Sequence, residues 1–274
     1  MTHISRLDHR CRIRVSGPDT VNFLNGLLTL NSETVAATPE LAHYGAFLRP
    51  QGKLFADLVA LALSPEAITL DVHLDLADEV LAKLKLYRLR AKVEIERLDE
   101  PVFVAFGGPL PAGFVKDGRS AIIGADFGFS YDQEMSDASH ADWLHWRIRH
   151  GLSDPGFDFP KDELYAIEAN LDLLSAIDFK KGCYIGQELT SRMKRRGPVK
   201  NRILPFTFDH QPLAGGAEVL NAGMRTGRVI IADEGQGLAL MRLDRMAGDL
   251  SVESGPLAFS IPDWIAPHIV SELS

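Results

Sequence analysis

The spacing of hydrophobic and polar positions changes along the chain and predicts its elements in turn. Residues 10–15 read RCRIRV, a strict alternation that sets Cys11, Ile13 and Val15 on one face of a strand and makes Cys11 a core residue. The next segment, SGPDTVNFLNGLLTLN, opens with Ser16 and Pro18. It carries an apolar stripe at Val21, Leu24, Leu27 and Leu28, which predicts one amphipathic helix. From Tyr44 to Tyr131 short β runs surround a single helix: YGAFL, LFADLVALAL and AITLDV precede it, and KVEIERL, VFVAF and AIIGADF follow. That helix spans Asp75 to about Arg90, with Leu76, Val80, Leu84 and Tyr87 on the face that packs against a sheet. Residues 139–151, SHADWLHWRIRHG, form a further amphipathic helix closed by Gly151 as C-cap. After Pro198 the texture turns to short strands and glycine turns, the mark of a small all-β unit, barrel or sandwich. Strands grouped around helices without regular alternation predict an α+β fold.

Composition narrows the class. With 274 residues, 46% hydrophobic and 24% charged, the chain can build two or three packed units. A formal net charge of −8 argues against a surface built throughout for nucleic acid, so any basic patch is local. Two cysteines, Cys11 and Cys183, make neither a disulfide framework nor a four-cysteine metal site, which leads us to expect a reducing cytoplasm. The first residues, MTHISRLDHRCRIRV, lack the apolar stretch of a signal peptide, and no later run approaches the roughly 20 apolar residues of a membrane span. The expectation is a soluble cytoplasmic protein with no membrane partner. His140, His145 and His150 share a helix but have no carboxylate or thiol at matching spacing, so no bound metal is expected.

The densest chemistry lies in KKGCYIGQE, residues 180–188. Here Cys183 sits between glycines and lysines, just before a helix expected to start near Gly186, where cations and unpaired N–H groups favour thiolate. Downstream, no acidic residue occurs between Glu188 and Asp209, while Arg192, Lys194, Arg195, Arg196, Lys200 and Arg202 crowd together. The run is either a solvated turn or an anion site. Nucleic acid is the weakest occupant, because only Tyr184 is near enough to stack a base.

KKGCYIGQE followed by TSR, PKDELYAIEANLDLL ahead of it, and LDHRCRIRVSGPDTVNFLNGLLTLN near the start together resemble the YgfZ-type folate-binding proteins of iron-sulfur cluster assembly and repair. These are relatives of the glycine cleavage T-protein, an aminomethyltransferase. The resemblance implies an α+β cloverleaf of three units around a channel for tetrahydrofolate, with a C-terminal barrel-like β unit. In this chain the units would be 1–47 with 137–199, an inserted 48–136, and 200–274.

The resemblance also implies roles. Glu168 and Asn170 occupy the pterin-recognising segment, where a carboxylate suits the paired N–H donors of the ring edge. Tyr184, Arg192 and Arg195 are further folate contacts, the arginines for an anionic glutamate tail or an acidic protein. Asp57 matches the second of two adjacent acids that assist aminomethyl transfer in the T-protein; the first is Ala56 here. Lys181, Gly182, Gly186, Gln187 and Glu188 support the thiol. Cys183 could be a structural thiol, a nucleophilic or redox thiolate, or one ligand lent to a cluster held by another protein. The favoured function is a tetrahydrofolate-binding accessory factor for iron-sulfur enzymes, with assembly proteins or client enzymes as transient partners. The alternative is a folate-dependent aminomethyltransferase-like enzyme.

Overall fold

The computed structural model describes every residue except Glu134, Arg196, Pro198 and Ser274, and only the backbone of residues 270–273. The first part of the chain forms β1 (His3–Arg6), β2 (Arg10–Ser16), α1 (Thr20–Asn25), α2 (Ser32–Ala37), β3 (Leu41–Leu48), β4 (Leu54–Ser64) and β5 (Ala67–His73). It continues with α3 (Ala77–Arg88), β6 (Glu94–Leu98), β7 (Phe103–Phe106), β8 (Val115–Asp117), α4 (Ser120–Ile123), β9 (Phe127–Ser130), α5 (His140–Arg149) and α6 (Gln187–Arg195). The nine strands make one sheet in the order β1-β7-β9-β8-β3-β4-β5-β2-β6, antiparallel except where β3 meets β8.

Burial on both faces explains why β4 is a nearly unbroken apolar run, LFADLVALAL. Leu54, Val59 and Leu61 pack on one side, with Trp143 and Ile148 of α5; Leu58, Ala60 and Ala62 pack on the other, with Val80 and Leu84 of α3. β2 obeys the predicted alternation, and Cys11 is buried as expected. Its other face does not reach water: Arg10 and Arg12 are buried too, because that side of the sheet is also covered.

Three local expectations change. The helix predicted after Ser16 stops early: α1 ends at Asn25 with Gly26 as its C-cap, Leu27 and Leu28 lie buried in the turn beyond it, and α2 starts only at Ser32, where the Asn31 side chain accepts from Glu33 N as N-cap. AIIGADF is not a strand throughout: Ser120–Ile123 is a helical turn, Gly124 leaves it with φ +70°, and the strand begins at Phe127. Tyr87 leaves the packed face of α3 and is partly exposed.

The C-terminal part forms β10 (Asn201–Thr207), β11 (Glu218–Asn221), β12 (Met224–Asp233), β13 (Gln236–Arg242), β14 (Leu250–Val252), β15 (Gly255–Pro256), β16 (Ala258–Phe259) and α7 (Ala266–Leu273). Its strands make a seven-stranded antiparallel sheet, β15-β14-β11-β12-β13-β10-β16, around Leu204, Phe206, Val219 and Met241.

A buried run of turns joins the two sheets. Ile203 N donates to Glu168 O, Asn170 Nδ2 donates to Ile203 O, and Arg202 donates to Ile167 O, Asn170 Oδ1 and Asp172. Asn170 holds φ +63°, a conformation asparagine tolerates better than most residues. Asp172 also accepts from Lys194, which brings α6 into the same joint. Burial opposes the charge on Asp172, but Arg202 and Lys194 outweigh it and hold its pKa down. The variant Arg202→Met leaves this carboxylate without its buried partner, and we expect a loss of about 3–5 kcal/mol in urea unfolding.

Candidate functional site

Two separate sites emerge, one charged and closed, the other open and lined by the cysteine motif. The closed site lies where β2, β4, β5 and the turn after α5 meet. Arg10 Nε donates to Asp71 Oδ1 at 2.6 Å, and Nη1 donates to Asp154 Oδ1 at 3.0 Å and to Asp57 Oδ2 at 3.4 Å. His9 Nε2 lies 2.9 Å from the other oxygen of Asp154. Beyond it, Arg147 forks onto Asp158 at 2.5 and 2.7 Å, and Asp158 accepts from Asp154 N.

One guanidinium facing three carboxylates leaves negative charge uncompensated. Burial raises the Asp57 pKa to about 7, against the pull of Arg10 and with the push of Asp154. Asp154 goes the other way: burial opposes ionisation, yet Arg10 and His9 hold it well below the usual carboxylate range. Asp57 Oδ1 has no hydrogen-bond partner among the described residues. The cavity beside it, lined also by Arg119 and Arg147, measures about 20 Å³, room for one water.

The open site is a groove of about 850 Å³ lined by Cys183, Tyr87, Phe179, Lys194 and Arg195 among others. Cys183 is exposed at its wall, whereas Cys11 is buried. The loop under Cys183 is tied down from two directions. Asp178 Oδ1 accepts from the backbone N of Lys180 and Lys181. Lys181 Nζ donates to the carbonyls of Asn25, Leu28 and Leu30 at 2.6–2.7 Å, with Asn25 Oδ1 at 3.2 Å. Those acceptors use every ammonium proton, so Lys181 positions the cysteine loop and does not face the thiol. Burial draws the Lys181 pKa down to about 8.

Gly186 turns the loop into α6 at φ +84°, where a Cβ would stand 2.6 Å from Arg49 O. Glycine is required there. Gly182 has no such constraint: a Cβ there would meet nothing within 4 Å. Tyr184 is buried beneath the groove, its hydroxyl pKa pushed up to about 12 by burial and then by Asp178.

The residues expected to share one folate site are divided among three places. Asp57 lies at the closed centre; Cys183, Tyr184, Gln187, Glu188 and Arg195 line the groove; Glu168 and Asn170 belong to the joint between the sheets. Glu168 Oε2 accepts from Tyr165 N and Oε1 from Asn201 Nδ2, so its carboxylate is already engaged. Arg192 is exposed on α6 and forms no ion pair among the described residues, and Arg196 lies outside the described residues. The three histidines separate: His145 meets Asp233, His150 meets Trp146 O, and His140 packs on His9. No cluster of three or more metal-ligating side chains occurs among the described residues. Arg10, Asp71 and Asp154 were missed as site residues because alternation alone assigns Arg10 to solvent.

Comparison with known proteins places this architecture. The aminomethyltransferase T of the glycine cleavage system from Bartonella henselae matches over 95% of this chain and 84% of its own, with a TM-score of 0.73 at 16% identity. Residues 200–267 match the CAF17 C-terminal beta-barrel domain. The fold is therefore α+β, of the aminomethyltransferase type, with a C-terminal β-barrel. Human mitochondrial iron-sulfur cluster assembly factor IBA57 is 31% identical over 299 residues, covering 94% of this chain and 84% of the relative. Its homolog from Mycosarcoma maydis is 32% identical over 231 residues, covering 75% and 57%. The chain belongs to the IBA57 family.

The cytoplasmic location expected from composition is overturned, because these relatives are named mitochondrial proteins. Free cysteines report a reducing compartment, not which one.

The closed centre generates a pH prediction. Asp57 binds its proton more tightly folded than unfolded, so its contribution to stability is full below about pH 4 and is lost as pH rises through about 7. Asp57→Asn removes this slope. Relative to wild type it should gain on the order of 2–4 kcal/mol at mildly alkaline pH and little near pH 4, read by urea unfolding across that range.

Proposed function

We propose that the protein is an accessory factor in iron-sulfur cluster assembly and that Cys183 is its working thiol. The observation that carries this reading is the position of Cys183, exposed on a groove of about 850 Å³ and held by a loop that Asp178 and Lys181 anchor. A cluster bound by thiolates requires more ligands than one cysteine supplies. Cys183 therefore lends one sulfur to a cluster whose other ligands belong to an assembly protein or client enzyme, and the contact is transient. Lys194 and Arg195 on the same groove suit an anionic cargo. The names of the relatives support the process, and the geometry supports the residue.

In cells lacking the native chain, Cys183→Ser should leave iron-sulfur enzyme activity at the level of cells without the protein. Surface exposure predicts a change in stability within about 0.5 kcal/mol. Full restoration of enzyme activity by the variant would sink the role.

Tetrahydrofolate does not fit the closed centre, which is far smaller than the roughly 300–1,000 Å³ of a ligand pocket. The Cys183 groove has the volume, with Phe179 and Tyr87 for a ring and Lys194 and Arg195 for carboxylates. A folate reading of the groove predicts that Arg195→Glu weakens tetrahydrofolate about tenfold or more in calorimetric titration. Absence of binding to wild type removes the folate and leaves the thiol's role standing.

A further inference from the structure

The Cys183 groove has a second wall that its motif does not contain. Tyr87 of α3 lines it opposite α6, and the chain then runs out of the groove as Arg88, Leu89 and Arg90. Every residue from Lys85 to Arg90 is exposed, with Leu86 at 70% and Leu89 at 86%. Leu89 ends the helix at φ 43° and ψ −104°, a conformation costly for a leucine, and it projects a large apolar side chain into water. No acidic residue occurs between Glu79 and Glu94. Lys85, Arg88, Arg90 and Lys92 form no ion pair among the described residues.

We infer that this end of α3 is the docking arm for an acidic protein partner, which it guides across the groove to Cys183. The proposal rests on Cys183 being the working thiol. Three observations fix the occupant. Unpaired cations flank the arm on a chain of net charge −8, so this face attracts an acidic surface that the chain as a whole does not. Exposed leucines among those cations suit the apolar centre of a protein interface and offer nothing to phosphates. The groove is concave, and the missing Cβ of Gly182 leaves open space next to Cys183, so a protruding segment reaches the thiol where a flat membrane does not.

The test measures arrival at Cys183. Two synthetic peptides of equal length carry one cysteine as a pyridyl disulfide and the same leucines; one is otherwise rich in Asp and Glu, the other in Asn and Gln. The Cys183 thiolate attacks the peptide sulfur, the new S–S bond forms, and pyridine-thiolate leaves and is read by absorbance. Cys183→Ser is the blank. With wild type at low salt the acidic peptide should react about tenfold faster than the neutral one, and the advantage should collapse at high salt.

Lys85→Glu, Arg88→Glu and Arg90→Glu together should abolish the advantage while leaving the neutral peptide's rate unchanged. Leu86→Ser with Leu89→Ser should slow both peptides. Retention of the full acidic advantage in the charge-reversed arm overturns the proposal. So does an arm whose reversal leaves peptide rates untouched and instead removes salt-dependent binding of a single-stranded RNA. Because the rate is read on a peptide, it is independent of whether Cys183→Ser fails in cells, and the two readings can fall separately.

Discussion

A single buried guanidinium organises the centre of this protein. Arg10 projects from β2 and reaches a carboxylate on β4, one on β5 and one on the turn after α5, so it ties three strands to the layer that covers them. Burying that many charges is tolerable only when most of them find partners. One guanidinium among three carboxylates leaves negative charge over, and Asp57 reduces the excess by holding its proton near neutral pH. Arg147 and Asp158 extend the network into the loop after α5. The same charges fill the middle of the fold, and the exposed thiol lies away from them at the surface.

The surface site is built by the opposite strategy. Lys181 spends its ammonium on the carbonyls of Asn25, Leu28 and Leu30, from the end of α1 to the turn before α2, and so ties the cysteine loop down beneath an exposed thiol. Gly186 permits the close turn over Arg49. Asp172, shared between Lys194 and Arg202, then fixes α6 to the barrel. The groove is thus positioned by buried electrostatics on both sides, with Cys183 left exposed at its wall.

Sequence alone determined strands β2 to β7 of the sheet, the helix at α5, the all-β texture after residue 198 and the burial of Cys11. Each of these follows from local period or local composition. What only the tertiary structure decided is which charges are inside. Arg10 and Arg12 alternate with apolar residues as solvent-facing positions should, yet the second layer covers them. Glu168 carries a carboxylate suited to a pterin, but the fold places it against Tyr165 and Asn201. Asp57 and Cys183 stand in one chain as two reactive candidates, and folding sends them to different cavities. A period of two or 3.6 residues tells which faces of one element are alike; it carries no information about what arrives to cover them, and that arrival decides whether a charge meets water, a partner or a ligand.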